Sequence, residues 1–303
     1  MEHSRAIGQS RSAITVVSAF STGRGVAIGI DLSCKVTAEL GPRREGIPMV
    51  SIYGGDSDPH GLLKTCANNS LAFLGKPFSR NQGLTLRVES SIPAAVGLKS
   101  SSAVSVATTK AIFSLFGQED SDLTTAQKIL RLSCQSSIQS GASLTGAFDD
   151  AAAGLLGGLV FSDNLRFRLL KHETLDPKWG TNVRILLLPK RMKLTSSLVL
   201  SMYHKFKDRA FEAIGYATKG VLVEAMFLNS IIHSVIHSYS LEPIVSSIEE
   251  GASTSGITGK GPAVAAISRT RKTAERIEER WLRDYPGSKV ITADITQRIR
   301  RRK

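Results

Sequence analysis

The segment Pro93-Ala94-Ala95-Val96-Gly97-Leu98-Lys99-Ser100-Ser101-Ser102-Ala103 restricts this 303-residue chain more than any other stretch. Its proline fixes φ on entry, and its glycine opens backbone conformations closed to other residues. Three serines follow, and the residues after them predict a long helix to about Phe116. The first turn of such a helix leaves about four N–H groups without partners and carries about half a positive charge. Phosphate oxygens are natural partners for such an end. Lys99 adds a full charge, and the serine hydroxyls can bond phosphate or a magnesium ion. The same pattern also describes an ordinary serine-started helix after a glycine turn, so other parts of the chain must decide.

Two further segments bear on the choice. Gly256-Ile257-Thr258-Gly259-Lys260-Gly261-Pro262-Ala263 joins two predicted strands, and its three glycines in six residues make a tight turn whose N–H groups can line a phosphate. Thr145-Gly146-Ala147-Phe148-Asp149-Asp150-Ala151 runs on to Gly157-Gly158. Paired acids among small apolar residues suit a buried reacting site, where one carboxylate accepts a hydroxyl proton. Acids at a helix start also favour the helix dipole without any chemistry.

Commoner nucleotide and metal motifs are excluded. Gly251 and Gly256 have P-loop spacing, but Ile257-Thr258 follows where Lys-Ser/Thr is needed. Gly23-Arg24-Gly25 lacks the third Rossmann glycine, which falls one position late at Gly29. His233 and His237 are four apart, but no Glu follows His233, so they are read as helical histidines and not metal ligands. Cys34, Cys66 and Cys134 have neither metal nor redox spacing, and free thiols favour a reducing compartment. No secretory signal is read at the N-terminus, and Val221–Ile236 is too short and polar to span a bilayer. A cytoplasmic protein without a membrane role is expected. The net charge of +13 gathers partly in the basic segment after Arg269, ending Arg300-Arg301-Arg302-Lys303. A charged chain end is usually a solvated tail, so nucleic acid is not expected as a partner.

The periodicity predicts strands over Ala13–Ala19, Val26–Leu32 and Cys34–Leu40, a helix over Pro59–Leu74, and a strand over Leu84–Val88. Helices follow over Leu123–Ser137 and part of Ala142–Leu156, with a strand from Gly157-Gly158 through Phe161 and a turn at Asp163-Asn164. The second half predicts a strand over Val183–Leu188, helices across Ser196–Ile248, strands over Ser253–Thr258 and Ala263–Ser268, a helix over Arg271–Asp284 and a strand over Lys289–Ala293. Strands and helices mix without strict βαβ alternation, which makes the class α+β. A boundary near 165–182 divides the chain into domains of 1–170 and 171–303.

PAAVGLKSSSA resembles the phosphate loop of the GHMP kinase superfamily (galactokinase, homoserine kinase, mevalonate kinase), and GITGKGPAVAAI resembles its C-terminal glycine motif. GLKSSSA, TGAFDDA with its following GG and DN, and GKGPAV together resemble the archaeal-type shikimate kinases. The resemblance implies a two-domain GHMP fold: a ribosomal-protein-S5-like ATP-binding domain, then a C-terminal ferredoxin-like α/β sandwich. It implies ATP and Mg2+, with phosphates over Gly97 to Ser102 and Ser101 on the metal. The implied acceptor is an anionic small-molecule alcohol, shikimate, phosphorylated at its 3-hydroxyl. Asp149 or Asp150 is the implied base: Asp149 matches by its distance from Gly146, Asp150 by its distance to Gly157-Gly158, and Asp149 is slightly favoured. Thr145 belongs to the same motif. Gly256, Thr258, Gly259, Lys260 and Gly261 are expected to close over substrate and phosphate, and Arg24 to meet an anionic group. Lys99 stands where relatives carry glycine and is expected to reach a phosphate directly. No acidic residue lies between Thr124 and Phe148, where several relatives place a second metal ligand. Rival readings are another acceptor, such as homoserine or mevalonate, and a non-catalytic ligand- or nucleic-acid-binding protein of the same fold. The oligomeric state is left open.

Overall fold

The computed structural model describes residues 4–42, 50–54, 58, 60–77, 82–93, 97–189 and 196–297. Its first half is built on one long strand. β1 (Arg5–Val17) pairs antiparallel with β2 (Arg24–Pro42) along nearly its whole length. β4 (Gln82–Ser90) pairs with the C-terminal half of β2, and β5 (Leu159–Asp163) with its N-terminal end. β3 (Val50–Tyr53) and β6 (Arg168–Glu173) complete a six-stranded sheet. The two expected strands over 26–32 and 34–40 are therefore one. Ser33 separates the two apolar runs in sequence, but the pairing jumps from Arg11↔Ser33 to Ser12↔Ile30. That bulge absorbs the extra residues without ending the strand.

The first half also holds α1 (Leu62–Phe73), α2 (Ser100–Leu115), α3 (Leu123–Gln139) and α4 (Phe148–Leu156). Small residues bring two of them close to the sheet. A methyl on Gly8 of β1 would lie 2.0 Å from the Ala107 carbonyl oxygen and 2.4 Å from the Ala111 nitrogen. The α2 backbone thus rests directly on the strand, with Ala103, Ala107 and Ala111 buried beneath it. α4 approaches likewise, since a methyl on Gly154 would lie 2.2 Å from the Arg11 carbonyl oxygen. Both helices begin at the same end of β1, and this places their N-termini together.

The second half has an antiparallel sheet in the order β10-β7-β9-β8, from β7 (Asn182–Leu187), β8 (Thr254–Ile257), β9 (Val264–Ser268) and β10 (Lys289–Asp294). Helices α5 (Ser196–His204), α6 (Lys207–Thr218), α7 (Leu222–His237), α8 (Glu242–Glu249) and α9 (Arg271–Asp284) accompany it. Trp281 of α9 is fully buried, and its indole N–H donates to the Pro243 carbonyl at 2.8 Å. The class is α+β, as expected. β6 crosses residue 170, so the change of sheet falls between Glu173 and Asn182.

The two halves share one apolar core. Ile14, Val16 and Val17 of β1 belong to the same buried cluster as Ala213, Leu222, Met226 and Ala265. Backbone bonds from Thr296 N to Gly29 O (2.9 Å) and from Gly158 N to Thr296 O (2.7 Å) stitch the sheets at one edge. Among the described residues no helix is long and apolar enough to cross a membrane.

Candidate active site

A cleft of about 290 Å3 opens where the first turns of α2 and α4 meet the end of β1 and the loop at 259–261. α2 starts from Lys99, which adopts a left-handed conformation (φ 60°) and gives no side-chain cap. This conformation is costly for any residue with a Cβ, about 1–2 kcal/mol. It explains why glycine suits the position and why a lysine there needs compensation. The earliest α2 amide bonded within the helix is Ala103 N–H, to Lys99 O at 3.0 Å. The amides of Ser100 to Ser102 are thus left at the cleft, where the serines themselves form part of the wall.

The compensation is visible in the Lys99 side chain. Its ammonium donates to both Asp150 carboxylate oxygens at 2.7 Å and to Thr15 Oγ1 at 2.8 Å. Lys99 thus pairs with the acid of α4 at the wall of the cleft. A residue at this position therefore anchors the Asp150 carboxylate to the start of α2.

α4 starts from Ala147, also left-handed, with Asp149 and Asp150 in its first turn, where the helix dipole favours negative charge. Both acids are buried, at 4% and 6% exposure, and both face the cleft. Asp149 is fixed by Asn164: its N–H donates to Asn164 Oδ1 (3.1 Å), and its Oδ1 accepts from Asn164 Nδ2 (2.8 Å). Ser162 Oγ donates to Asn164 Oδ1 at 2.7 Å, so the amide orientation is determined. Gly25 of β2 makes room for the carboxylate, since a methyl there would lie 2.3 Å from Asp149 Oδ2. Burial first, and the Asp149 charge second, push the Asp150 carboxyl up to about 7 despite Lys99. A carboxylate with that affinity can take a proton near neutral pH and hold it.

The glycine loop closes the other side. A methyl on Gly97 would lie 2.9 Å from Thr258 O, and one on Gly259 would lie 2.6 Å from Gly97 O. The two loops meet backbone to backbone, which only glycine allows at this separation. Ser12 Oγ donates to Leu98 O at 2.7 Å and ties the phosphate loop to β1.

Comparison with known proteins shows the family and the fold. A family model described as the GHMP kinases N terminal domain matches residues 62–158. The chain is 34% identical over 285 residues to the shikimate kinase of Thermococcus kodakarensis, covering 94% of this chain and 97% of that protein. It is 35% identical over 289 residues to the shikimate kinase of Pyrococcus furiosus, with coverage of 95% and 99%. This chain belongs to the archaeal shikimate kinase family of GHMP kinases. Two solved structures share the fold: a homoserine kinase from Cytophaga hutchinsonii (TM-score 0.73, 17% identity, 98% and 97% covered) and the Methanococcus jannaschii mevalonate kinase (TM-score 0.73, 15% identity, 98% and 100% covered). The chain is therefore a kinase, and ATP is its phosphoryl donor.

In this GHMP kinase the structure gathers most of the expected residues around one cleft. Gly97 to Ser102, Thr145, Asp149, Asp150, Gly259, Lys260 and Gly261 line it. Ala94, Ala95 and Val96 lie outside the described residues. Pro93 precedes the cleft, and Ala103 is buried beneath α2. Gly256 lies in β8, where a methyl would press on Met226 and Ser230 of α7, and Thr258 is fully buried behind the loop. Arg24 faces away, with its guanidinium 5.8 Å from the Phe211 ring, because Gly25 and not Arg24 points at the acids. The sequence reading missed Thr15, Ser18, Phe20, Ser143 and Leu144 in the wall and Asn164 behind Asp149. Asn164 was visible as a turn residue and as the second residue of the DN motif, though with no role assigned, while Thr15 sits in an apolar strand and gives no local signal.

The metal-binding groups are few. Among the described residues no cluster of three or more His, Cys, Asp or Glu side chains could hold an ion. The exposed Ser101 hydroxyl and the two acids fit magnesium carried on a nucleotide, an ion that often takes one or two protein ligands together with phosphate oxygens and water.

Proposed function

We propose that this kinase transfers the γ-phosphoryl group of ATP to the 3-hydroxyl of shikimate, giving shikimate 3-phosphate and ADP. The observation that carries the chemistry is Asp150, buried, poised near neutrality, and held by Lys99 at the N-terminus of α2. The acceptor is supported by relatives that cover nearly the whole chain and are named shikimate kinases. Phosphates would lie on the amides and hydroxyls of Ser100 to Ser102. The acceptor oxygen attacks the γ-phosphorus, the bond to the β–γ bridging oxygen breaks, and Asp150 takes the hydroxyl proton. The Lys99 link favours Asp150 over Asp149 as the base, because it ties that carboxylate to the phosphate loop itself. Asp149, held by Asn164, keeps Asp150 basic through its charge. Magnesium, with Ser101 and Asp149 as its nearest candidates, would supply charge neutralisation on the phosphates. Gly259 to Gly261 would cover the reacting groups from the opposite side. The three free cysteines, all buried, agree with a cytoplasmic enzyme.

The test is ADP release by purified protein offered shikimate, homoserine, mevalonate or galactose with ATP and magnesium. Turnover with shikimate alone is expected. Turnover with another alcohol moves the acceptor, and no turnover with any of them overturns the reading.

A further inference from the structure

Thr15 is a β1 residue with 1% exposure, and its backbone and side chain reach both the start of α2 and the C-terminal glycine loop. Its hydroxyl oxygen accepts from Lys99 Nζ at 2.8 Å and from the Gly259 N–H at 3.0 Å. Its own N–H donates to Thr258 Oγ1 at 3.1 Å. A hydroxyl oxygen has two lone pairs, and both are used. The Lys99 ammonium has three N–H groups, and all three are used as well, two on Asp150 and one on Thr15. A phosphate oxygen arriving at Lys99 must therefore displace one of these bonds. The two to Asp150 are charge-assisted at both ends, so the neutral Thr15 hydroxyl is the weaker tie. Its release would return a lone pair to the oxygen that holds Gly259.

We propose that Thr15 is a positioning residue that couples the phosphate loop to the C-terminal glycine loop, through one oxygen shared by Lys99 and Gly259. The proposal rests on reading the cleft as the kinase site. Coupling of this kind needs a physical element that both sides bias, and the shared oxygen is that element. A second link exists in the backbone contact between Gly97 and Gly259. The two links are separable, because Thr15→Val keeps the shape of the side chain and leaves the backbone contact in place while removing the oxygen.

The test is hydrogen exchange of the segments 97–103 and 256–262, with and without a non-hydrolysable ATP analogue and magnesium. Wild type is expected to respond to nucleotide in both segments. Thr15→Val is expected to keep the response at 97–103 and lose it at 256–262, and Thr15→Ser, which keeps the oxygen, to restore it. In kinetics Thr15→Val is expected to lower kcat about tenfold to a hundredfold with ATP KM within about threefold, the split of an interaction made in the reacting complex. Thr15→Ala serves the same purpose if the valine variant does not fold. A response at 256–262 that survives loss of the hydroxyl overturns the proposal, as does its absence in wild type. Failure of wild type to phosphorylate shikimate would sink the functional reading alone, since the exchange pattern is read without acceptor.

Discussion

Gly25→Ala is a one-carbon change that tests whether the position of Asp149 matters. The added methyl would stand 2.3 Å from Asp149 Oδ2, 2.6 Å from Cγ and 2.8 Å from Cβ, whereas ordinary contact begins at 3.4 Å. The carboxylate must therefore retreat by about 1 Å, the scale of misplacement that costs about a hundredfold in rate. It cannot retreat freely. Asn164 grips it from behind, and α4 is pressed against β1 at Gly154. Gly25 does not have a positive φ, so alanine introduces no backbone strain of its own. Overpacking of this kind costs about 1–3 kcal/mol of stability. The expected result is a folded protein with a somewhat lower Tm, kcat down by about two orders of magnitude and little change in nucleotide affinity by calorimetry. In an Asp149→Ala background Oδ2 and Cγ are gone, and the stability cost of Gly25→Ala should shrink, as coupling between contacting residues requires. A folded Gly25→Ala enzyme with kcat within about twofold of wild type would refute the reasoning.

Asp150→Asn should lower kcat by about 10²–10⁴ while ATP-analogue affinity stays within a few-fold, measured by single-turnover kinetics and titration. Asp150 must be ionised to accept a proton, so activity rises with pH through its raised pKa of about 7. At pH 5 only about a hundredth of its capacity should remain, whereas an unshifted carboxylate would keep most of it. Asp149→Asn removes the charge that helps raise Asp150, so the acid limb of the residual activity should move to lower pH; an unmoved limb would count against the assignment. Lys99→Met removes the partner that opposes the rise and should move the ionisation of Asp150 upward, seen as a shift of that limb toward higher pH. Asn164→Ala should cut kcat with ATP KM unchanged, since Asn164 touches Asp149 and is absent from the phosphate loop.

The elements of the second half were legible because their periods were clean, and α9 was expected at the residues it occupies. The failures have particular causes. Ser33 divided β2 into two expected strands, yet a bulge kept the strand intact. The first strand was expected over Ala13–Ala19, but β1 runs over Arg5–Val17 because residues 5–12 also pair with β2. Arg24 was expected to meet an anionic group on the strength of the family resemblance, but side-chain direction along a strand alternates, and its neighbour Gly25 is the residue that faces Asp149. Lys99 was expected to reach a phosphate, and the fold adds a partner that sequence spacing does not show, Asp150, 51 residues away.

The sequence by itself determined which segments could make chemistry: a glycine and three serines before a helix, an acid pair among alanines, and a second glycine turn. These are local matters of backbone freedom, unpaired amides and charge, and they travel with the residues that carry them. Tertiary structure alone decided what each group is for. Gly8 and Gly154 let α2 and α4 lie on one strand, and this brings Lys99 to Asp150. Burial and a neighbouring charge, neither of which is a property of an isolated residue, raise Asp150 toward neutrality. Thr15 and Asn164 acquire their contacts only through atoms brought near them by the fold, which is why a linear reading passed over one and met the other only as a turn residue within the DN motif.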